Sequence, residues 1–183
     1  MQYLYRQQGK GTFVSVRKID QWFFKITSFK KDMISRGYTP STLVLEKNII
    51  SPPKDIKIFL NLIDKEKVIF IKRLRFANNV PIMLEDRYLN YKLCKPILEE
   101  PLEKESIHDL LIYKFNLPLT KVNQYLEAVK INEEDAKLLG INSDEPGFLL
   151  CRTTFTEELP VTWVKYLYRG DKYRLYAEFA PIE

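Results

Sequence analysis

Hydrophobic residues along this chain fall mostly into short blocks of strand character, separated by turn residues and a few capped helical turns. Residues 3–6 and 11–16 read as two strands around Gln7-Gln8-Gly9-Lys10, with Gly9 and Gly11 supplying the turn and Lys10 at its tip. Residues 17–27 read as a connector. Thr27 or Ser28 caps a short helix that runs to Arg36, where Gly37 ends it and Pro40 follows. Leu43, Leu45, Ile49 and Ile50 predict a strand over 42–50, and Pro52-Pro53 breaks it ahead of a short helix at 55–62.

Residues 68–76 are rich in Ile, Val and Phe, with charges at Lys72, Arg73 and Arg75. Asn78-Asn79 marks a turn, and 80–89 runs back as a second strand with Pro81 near its start, where a missing donor is tolerated. Ser106, three residues before Asp109 and ahead of Leu110, Leu111, Tyr113 and Phe115, is a capping-box pattern opening a helix. A strand follows at 120–131. Asn132 then caps a two-turn helix with three acids in its first turn, and Gly140 closes it. Segments 147–155, 161–168 and 173–179 read as three antiparallel strands, with Arg169-Gly170-Asp171-Lys172 as the last turn. Connections this short do not allow parallel crossovers. The predicted class is α+β, an antiparallel sheet flanked by short helices.

A length of 183 residues, with 45% hydrophobic and 29% charged positions, suits one packed domain and excludes a disordered chain. Two cysteines, Cys94 and Cys151, are too few for a disulfide scaffold and lack metal-ligand spacing, and one histidine excludes a His-rich metal site. No cofactor or metal is expected. No apolar run approaches the roughly 18 residues of a membrane span, and the first residues lack a signal-peptide core, so the expected location is cytoplasmic. Charge changes the picture more. Residues 1–50 hold nine Lys and Arg against three Asp and Glu, whereas the remainder holds twenty against twenty-one. A basic excess confined to one end suggests a polyanion there, or a solvated lysine-rich surface.

The candidate chemistry begins at Arg73 and Arg75. Two positions apart on a strand, they send both guanidinium groups from one face. Two such forks suit a phosphate or a carboxylate, or else they make surface pairs with nearby acids. Ser106 opens a helix whose free N–H groups also favour an anion. Glu85 depends on hairpin register. A two-residue turn at Asn78-Asn79 pairs Ala77 with Val80 and sends Glu85 to the face opposite Arg73. A three-residue loop pairs Arg73 with Glu85 directly, a reading that Pro81 favours. Arg169-Gly170-Asp171 reads as a tight hairpin turn rather than an adhesion tripeptide. Glu99, Glu100, Glu103 and Glu105 read as a solvated acidic loop, and the two cysteines as packed thiols.

An ordered set of marks carries a family resemblance. Gln8-Gly9-Lys10-Gly11-Thr12-Phe13-Val14-Ser15 resembles the end of the wing in GntR-type winged-helix repressors. The rest is similar to the UTRA effector-binding domain of the HutC subfamily. Its marks are Thr27-Ser28-Phe29, Met33-Ile34-Ser35-Arg36-Gly37, Arg73-Leu74-Arg75, Asn78-Asn79-Val80-Pro81 and Glu85. Glu133-Glu134-Asp135-Ala136, Leu139-Gly140-Ile141, Arg152-Thr153-Thr154 and Tyr168-Arg169-Gly170-Asp171-Lys172-Tyr173 continue it in order. The resemblance implies a chorismate lyase-like fold, usually dimeric. It implies a wing remnant at 1–16, a linker at 17–26 and the UTRA domain at 27–183. The family's helix-turn-helix lies ahead of the wing, and this sequence begins at the wing, so specific operator binding is expected only of a longer chain. Lys10, Gly9 and Gly11 would be the wing residues at DNA.

By the same resemblance Arg73, Arg75, Ser106 and His108 would hold a phosphate, while Glu85, Tyr168 and Phe29 line the sugar end. Thr162 stands where many relatives carry a glutamate that meets the sugar, which favours a neutral sugar phosphate over an amino sugar. The implied function is effector sensing by a homodimeric transcription regulator, a repressor of sugar uptake or catabolism genes, and not an enzyme. A lyase on the same fold and a generic protein-interaction module are the alternatives.

Overall fold

The computed structural model describes residues 2–7, 11–16, 18–22, 27–178 and 180. Strands β1 (Gln2–Gln7) and β2 (Gly11–Val16) form an antiparallel hairpin with Gln7 opposite Gly11. Its tip, with Gly9 and Lys10, lies outside the described residues. After β3 (Ile19–Trp22), the Ser28 hydroxyl accepts the Lys31 N–H at 3.3 Å and opens α1 (Phe29–Ser35). Then come β4 (Pro40–Ile50), α2 (Lys54–Phe59), β5 (Val68–Ala77) and β6 (Val80–Asn90). A helical stretch follows, α3 (Tyr91–Cys94) running into a 3₁₀ turn, Lys95–Glu99. Next is α4 (Ile107–Asp109), which widens at once into a π turn, Leu110–Lys114. Strand β7 (Lys121–Lys130), α5 (Glu133–Leu139), β8 (Pro146–Thr156), β9 (Leu159–Arg169) and β10 (Tyr173–Tyr176) complete the chain.

Six strands make one antiparallel sheet in the order β4-β5-β6-β9-β8-β7. Side chains alternate between its faces, so each strand feeds two cores. On one face, α1 buries Met33 against Ile82, Met83, Leu150, Tyr168 and Tyr173. Further along that face, the segment from α3 to the π turn packs Cys94, Ile97, Leu102, Ile107 and Leu111 over Ile69, Ile71 and Leu89. The other face is covered by α2, with Ile56 and Leu60 on Val68 and Trp163, and by α5, with Ala136 and Leu139 on Leu74, Leu84 and Leu167. Cys94 and Cys151 are free and buried.

The β5–β6 hairpin joins features of both registers considered for it. Asn78 and Asn79 have φ of 50° and 63°, a left-handed two-residue turn, and Ala77 pairs with Val80. Between Phe76↔Pro81 and Arg75↔Met83 the register then slips by one residue at Ile82. This bulge brings Arg73 opposite Glu85 on one face despite the two-residue turn.

Three expectations are corrected. The connector read at 17–27 and the linker implied at 17–26 both contain β3. The last strand spans Tyr173–Tyr176 and leaves the main sheet, pairing in parallel with β3, Tyr173 opposite Ile19 and Tyr176 opposite Trp22. Phe179 lies outside the described residues. The acidic stretch is only partly a solvated loop: Glu99 closes the 3₁₀ turn, and Glu100 pairs with Lys114 at 2.6 Å with its side chain largely covered. The turn reading of Arg169-Gly170-Asp171 fits the structure. Arg169 is buried, donating to Asp171 and to the carbonyls of Pro81 and Leu139.

Met33 is the residue through which α1 grips the sheet, and it is fully buried. Met33→Ala is expected to cost about 2–5 kcal/mol, read as a lower urea midpoint at unchanged slope. An unmoved midpoint would mean that α1 is not packed as described.

Candidate functional site

Between the two apolar clusters on the α1 side of the sheet lies a patch of polar side chains. Strand alternation puts Arg73 and Arg75 of β5 there, with Glu85 and Arg87 of β6 beside them, and Thr162 and Tyr166 of β9 beyond. Glu85 is wholly buried and receives hydrogen bonds from three arginines. Arg73 Nη2 reaches Oε1 at 2.6 Å and Arg87 Nε reaches the same oxygen at 2.8 Å. Arg75 grips Oε2 with two donors, Nη2 at 2.7 Å and Nε at 3.0 Å. Neutral acceptors hold the remaining arms: Thr42 Oγ1 takes Arg75 Nη1 at 2.8 Å, and the Tyr166 hydroxyl takes Arg87 Nη2 at 2.6 Å. Arg87 Nη1 reaches Thr162 Oγ1 at 3.3 Å, and that hydroxyl donates to the Tyr88 carbonyl at 3.0 Å. Arg73 Nε is buried without a partner.

The electrostatics follow from one acid among several bases. Burial alone would raise the Glu85 carboxyl, but Arg73, Arg75 and Arg87 outweigh it and hold the group well below the usual carboxylate range. Burial, reinforced by Arg75 and Arg87, brings Arg73 down to about 9, so it remains charged at neutral pH. His108 is held below its ordinary value first by burial and then by Arg87, so the neutral imidazole is favoured at pH 7.

Seven of the sequence-predicted residues line one pocket: Phe29, Arg73, Arg75, Glu85, Ser106, His108 and Thr162. Phe29 lies over the Arg75 guanidinium, 5.1 Å from ring centre to Cζ. Tyr168 does not join them. It lies in an adjoining recess, edge-on to Tyr173 with ring centres 4.7 Å apart. The helix start contributes less than expected. Ser106 Oγ already accepts the Asp109 N–H at 3.2 Å, and the α-helical turn is only three residues long before it widens. Of the residues expected at DNA, Gly11 begins β2, while Lys10 and Gly9 are not described.

Arg87, Tyr166 and Arg152 also line the pocket. Arg87 is legible by the rule that finds Arg75, since it follows Glu85 by two on the same strand. Arg152 and Tyr166 become neighbours only through the β8–β9 register, which leaves no local trace. Free space beside the arginines is about 50 Å³. A wider cavity of about 380 Å³ lies on the other side, sharing Phe29, Arg75 and Ser106. Lys31 of α1 and Asp109 of α4 form an ion pair at 3.0 Å nearby. Among the described residues no cluster of His, Cys, Asp and Glu could hold a metal, and no helix is long and apolar enough to cross a membrane.

The model of the UTRA domain matches residues 35–174. The chain is 32% identical over 171 residues to the HTH-type transcriptional repressor NagR of Bacillus subtilis, covering 93% of this chain and 70% of that protein. It is 27% identical over 177 residues to the histidine utilization repressor of Pseudomonas putida, covering 97% and 71%. The fold superposes on PhnF from Mycobacterium smegmatis with a TM-score of 0.86 at 19% identity, over 97% of this chain and 78% of that one. The antiparallel sheet is thus the chorismate lyase-like sheet of such domains. By sequence and fold together, the chain belongs to the UTRA domain family and is the effector domain of a GntR/HutC-type transcription regulator, with a regulatory and not an enzymatic role.

Proposed function

We propose that the arginine pocket binds a small phosphorylated sugar, and that the ligand changes the affinity of a dimeric repressor of sugar uptake or catabolism genes for its operator. One observation carries the reading: three buried guanidiniums converge on a single carboxylate, leaving an excess of buried positive charge beside the pocket. Burial makes a charge-assisted bond to an incoming anion stronger than it would be at the surface. Arg73, Arg75, Ser106 and His108 face the phosphate in this reading. Glu85 and Thr162 face hydroxyls, and Tyr168 acts from behind through Phe29 and Tyr166.

The space beside the arginines is smaller than the 300–1,000 Å³ typical of ligand pockets. Phe29 lines both this space and the wider cavity, so in this reading a sugar phosphate makes room for itself by displacing Phe29. That residue begins α1, and Met33 of α1 packs with Tyr173 of β10 and Ile19 of β3. The segment 27–37 therefore couples the pocket to β3 and, through the chain, to the hairpin at 2–16, read here as a wing remnant beside DNA. Effector and operator then weaken each other by one common factor. The dimer, read as two-fold with strands of the C-terminal half contributing, is checked by light scattering at micromolar concentration, where a monomer would contradict it.

The test of the site is calorimetry on Arg73→Ala and Arg75→Ala. Each charge-assisted bond contributes about 1.5–3 kcal/mol, so loss of one fork should weaken sugar-phosphate binding by roughly 10- to 1000-fold. Arg73→Ala is the cleaner variant, because both Glu85 oxygens keep a donor, Oε1 from Arg87 and Oε2 from Arg75. Binding like wild type in both variants would remove the arginines from the site.

A further inference from the structure

The charge around the pocket exceeds what one phosphate neutralises. Four guanidiniums line it, Arg73, Arg75, Arg87 and Arg152, and Glu85 is the one acid among its lining residues. Arg152 differs from the other three. Its Nε donates to Gln124 Oε1 at 2.9 Å, and its guanidinium lies 5.7 Å from the centre of the Tyr166 ring. Among the described residues, no carboxylate lies within ion-pair distance of it and no hydrogen-bond partner meets its two Nη groups. Arg87 stands over the same ring, 5.8 Å from its centre. Tyr166 is thus flanked by two cations, at the part of the pocket that also holds Thr154 and Thr162.

A dianionic phosphate at Arg73 and Arg75 leaves Arg87 and Arg152 without an anionic partner of their own, apart from the Glu85 oxygen that Arg87 shares with Arg73. A neutral hydroxyl there satisfies hydrogen bonds and leaves the charge. A carboxylate satisfies both, and a guanidinium with free Nη groups is the donor that recognises it in a fork. An ammonium group would meet repulsion from both guanidiniums beside Tyr166.

We infer that Arg152, assisted by Arg87, forms a second anionic subsite, so that the effector carries a carboxylate as well as a phosphate: a phosphorylated sugar acid or hydroxy acid rather than a phosphorylated neutral or amino sugar. The inference rests on the reading of Arg73 and Arg75 as the phosphate end. Arg152 acts on ligand preference and not on the phosphate.

Three small probes separate the two ends: inorganic phosphate, glycerol 3-phosphate, and 3-phosphoglycerate, which carries a carboxylate in place of the terminal hydroxymethyl group on the same three-carbon skeleton. Titration calorimetry on the wild-type chain is expected to give 3-phosphoglycerate at least about 10-fold tighter binding than glycerol 3-phosphate, the value of one charge-assisted bond. Arg152→Gln should bring that ratio close to one by lowering 3-phosphoglycerate affinity more than glycerol 3-phosphate affinity, and Arg152→Lys should keep part of the preference. Equal binding of the two organic probes by wild type, or a ratio untouched by Arg152→Gln, overturns the second subsite and leaves the phosphate end standing. Absence of binding by phosphate and glycerol 3-phosphate overturns the phosphate end as well. The wild-type ratio alone decides if the glutamine variant does not fold.

Discussion

The wholly buried carboxylate of Glu85 organises everything around it. Three guanidiniums share its two oxygens, Arg73 and Arg87 on one and Arg75 on the other. Burying a charge costs several kcal/mol unless it is paired and its remaining bonds are met, and removing one partner from such a cluster typically costs about 3–5 kcal/mol. Glu85 is therefore what allows three like charges to stand together inside the protein. It fixes their forks in place while answering only one of their three charges. The result is an under-neutralised cationic site, the arrangement that the proposed anion receptor requires.

That arrangement hangs on a single slipped residue. With a regular ladder beyond the Asn78-Asn79 turn, Glu85 would leave the sheet on the face opposite the arginines. The bulge at Ile82 restores the parity, and Ile82 and Met83 both pack into the α1 cluster. The apolar contacts that hold α1 and the polar contacts that build the site are thus consequences of one backbone irregularity. Phe29, at the head of α1, completes the connection by covering Arg75. A ligand that displaces Phe29 works directly on the element that reaches β3 and β10.

Much of this is written locally in the sequence. Strand and helix limits follow from alternation, from Ser28, Ser106 and Asn132 as caps, and from the Asn78-Asn79 turn. Arg73 and Arg75 follow from their spacing alone, and Arg87 from the same rule applied to Glu85. Other features leave no local trace. Pro81-Ile82-Met83-Leu84 has no alternation to betray a bulge. The parallel pairing of β3 with β10 joins segments from near the two ends of the chain, and four residues with the pattern of Ile19–Trp22 look like any connector. Arg152 enters the site across β9, through a register set by the whole sheet. Tyr168 shows the converse. Its face is right and it is level with Arg75, but Met83 of β6 stands between the two.

A crystal structure of the protein with tungstate, a phosphate analogue that scatters strongly enough to be located without ambiguity, tests the central claim most directly. One ordered ion is expected, held by the guanidiniums of Arg73 and Arg75 beside Ser106 and His108, with Glu85 still bound to Arg87. Tungstate found only at surface lysines, with the buried arginines untouched, would contradict it.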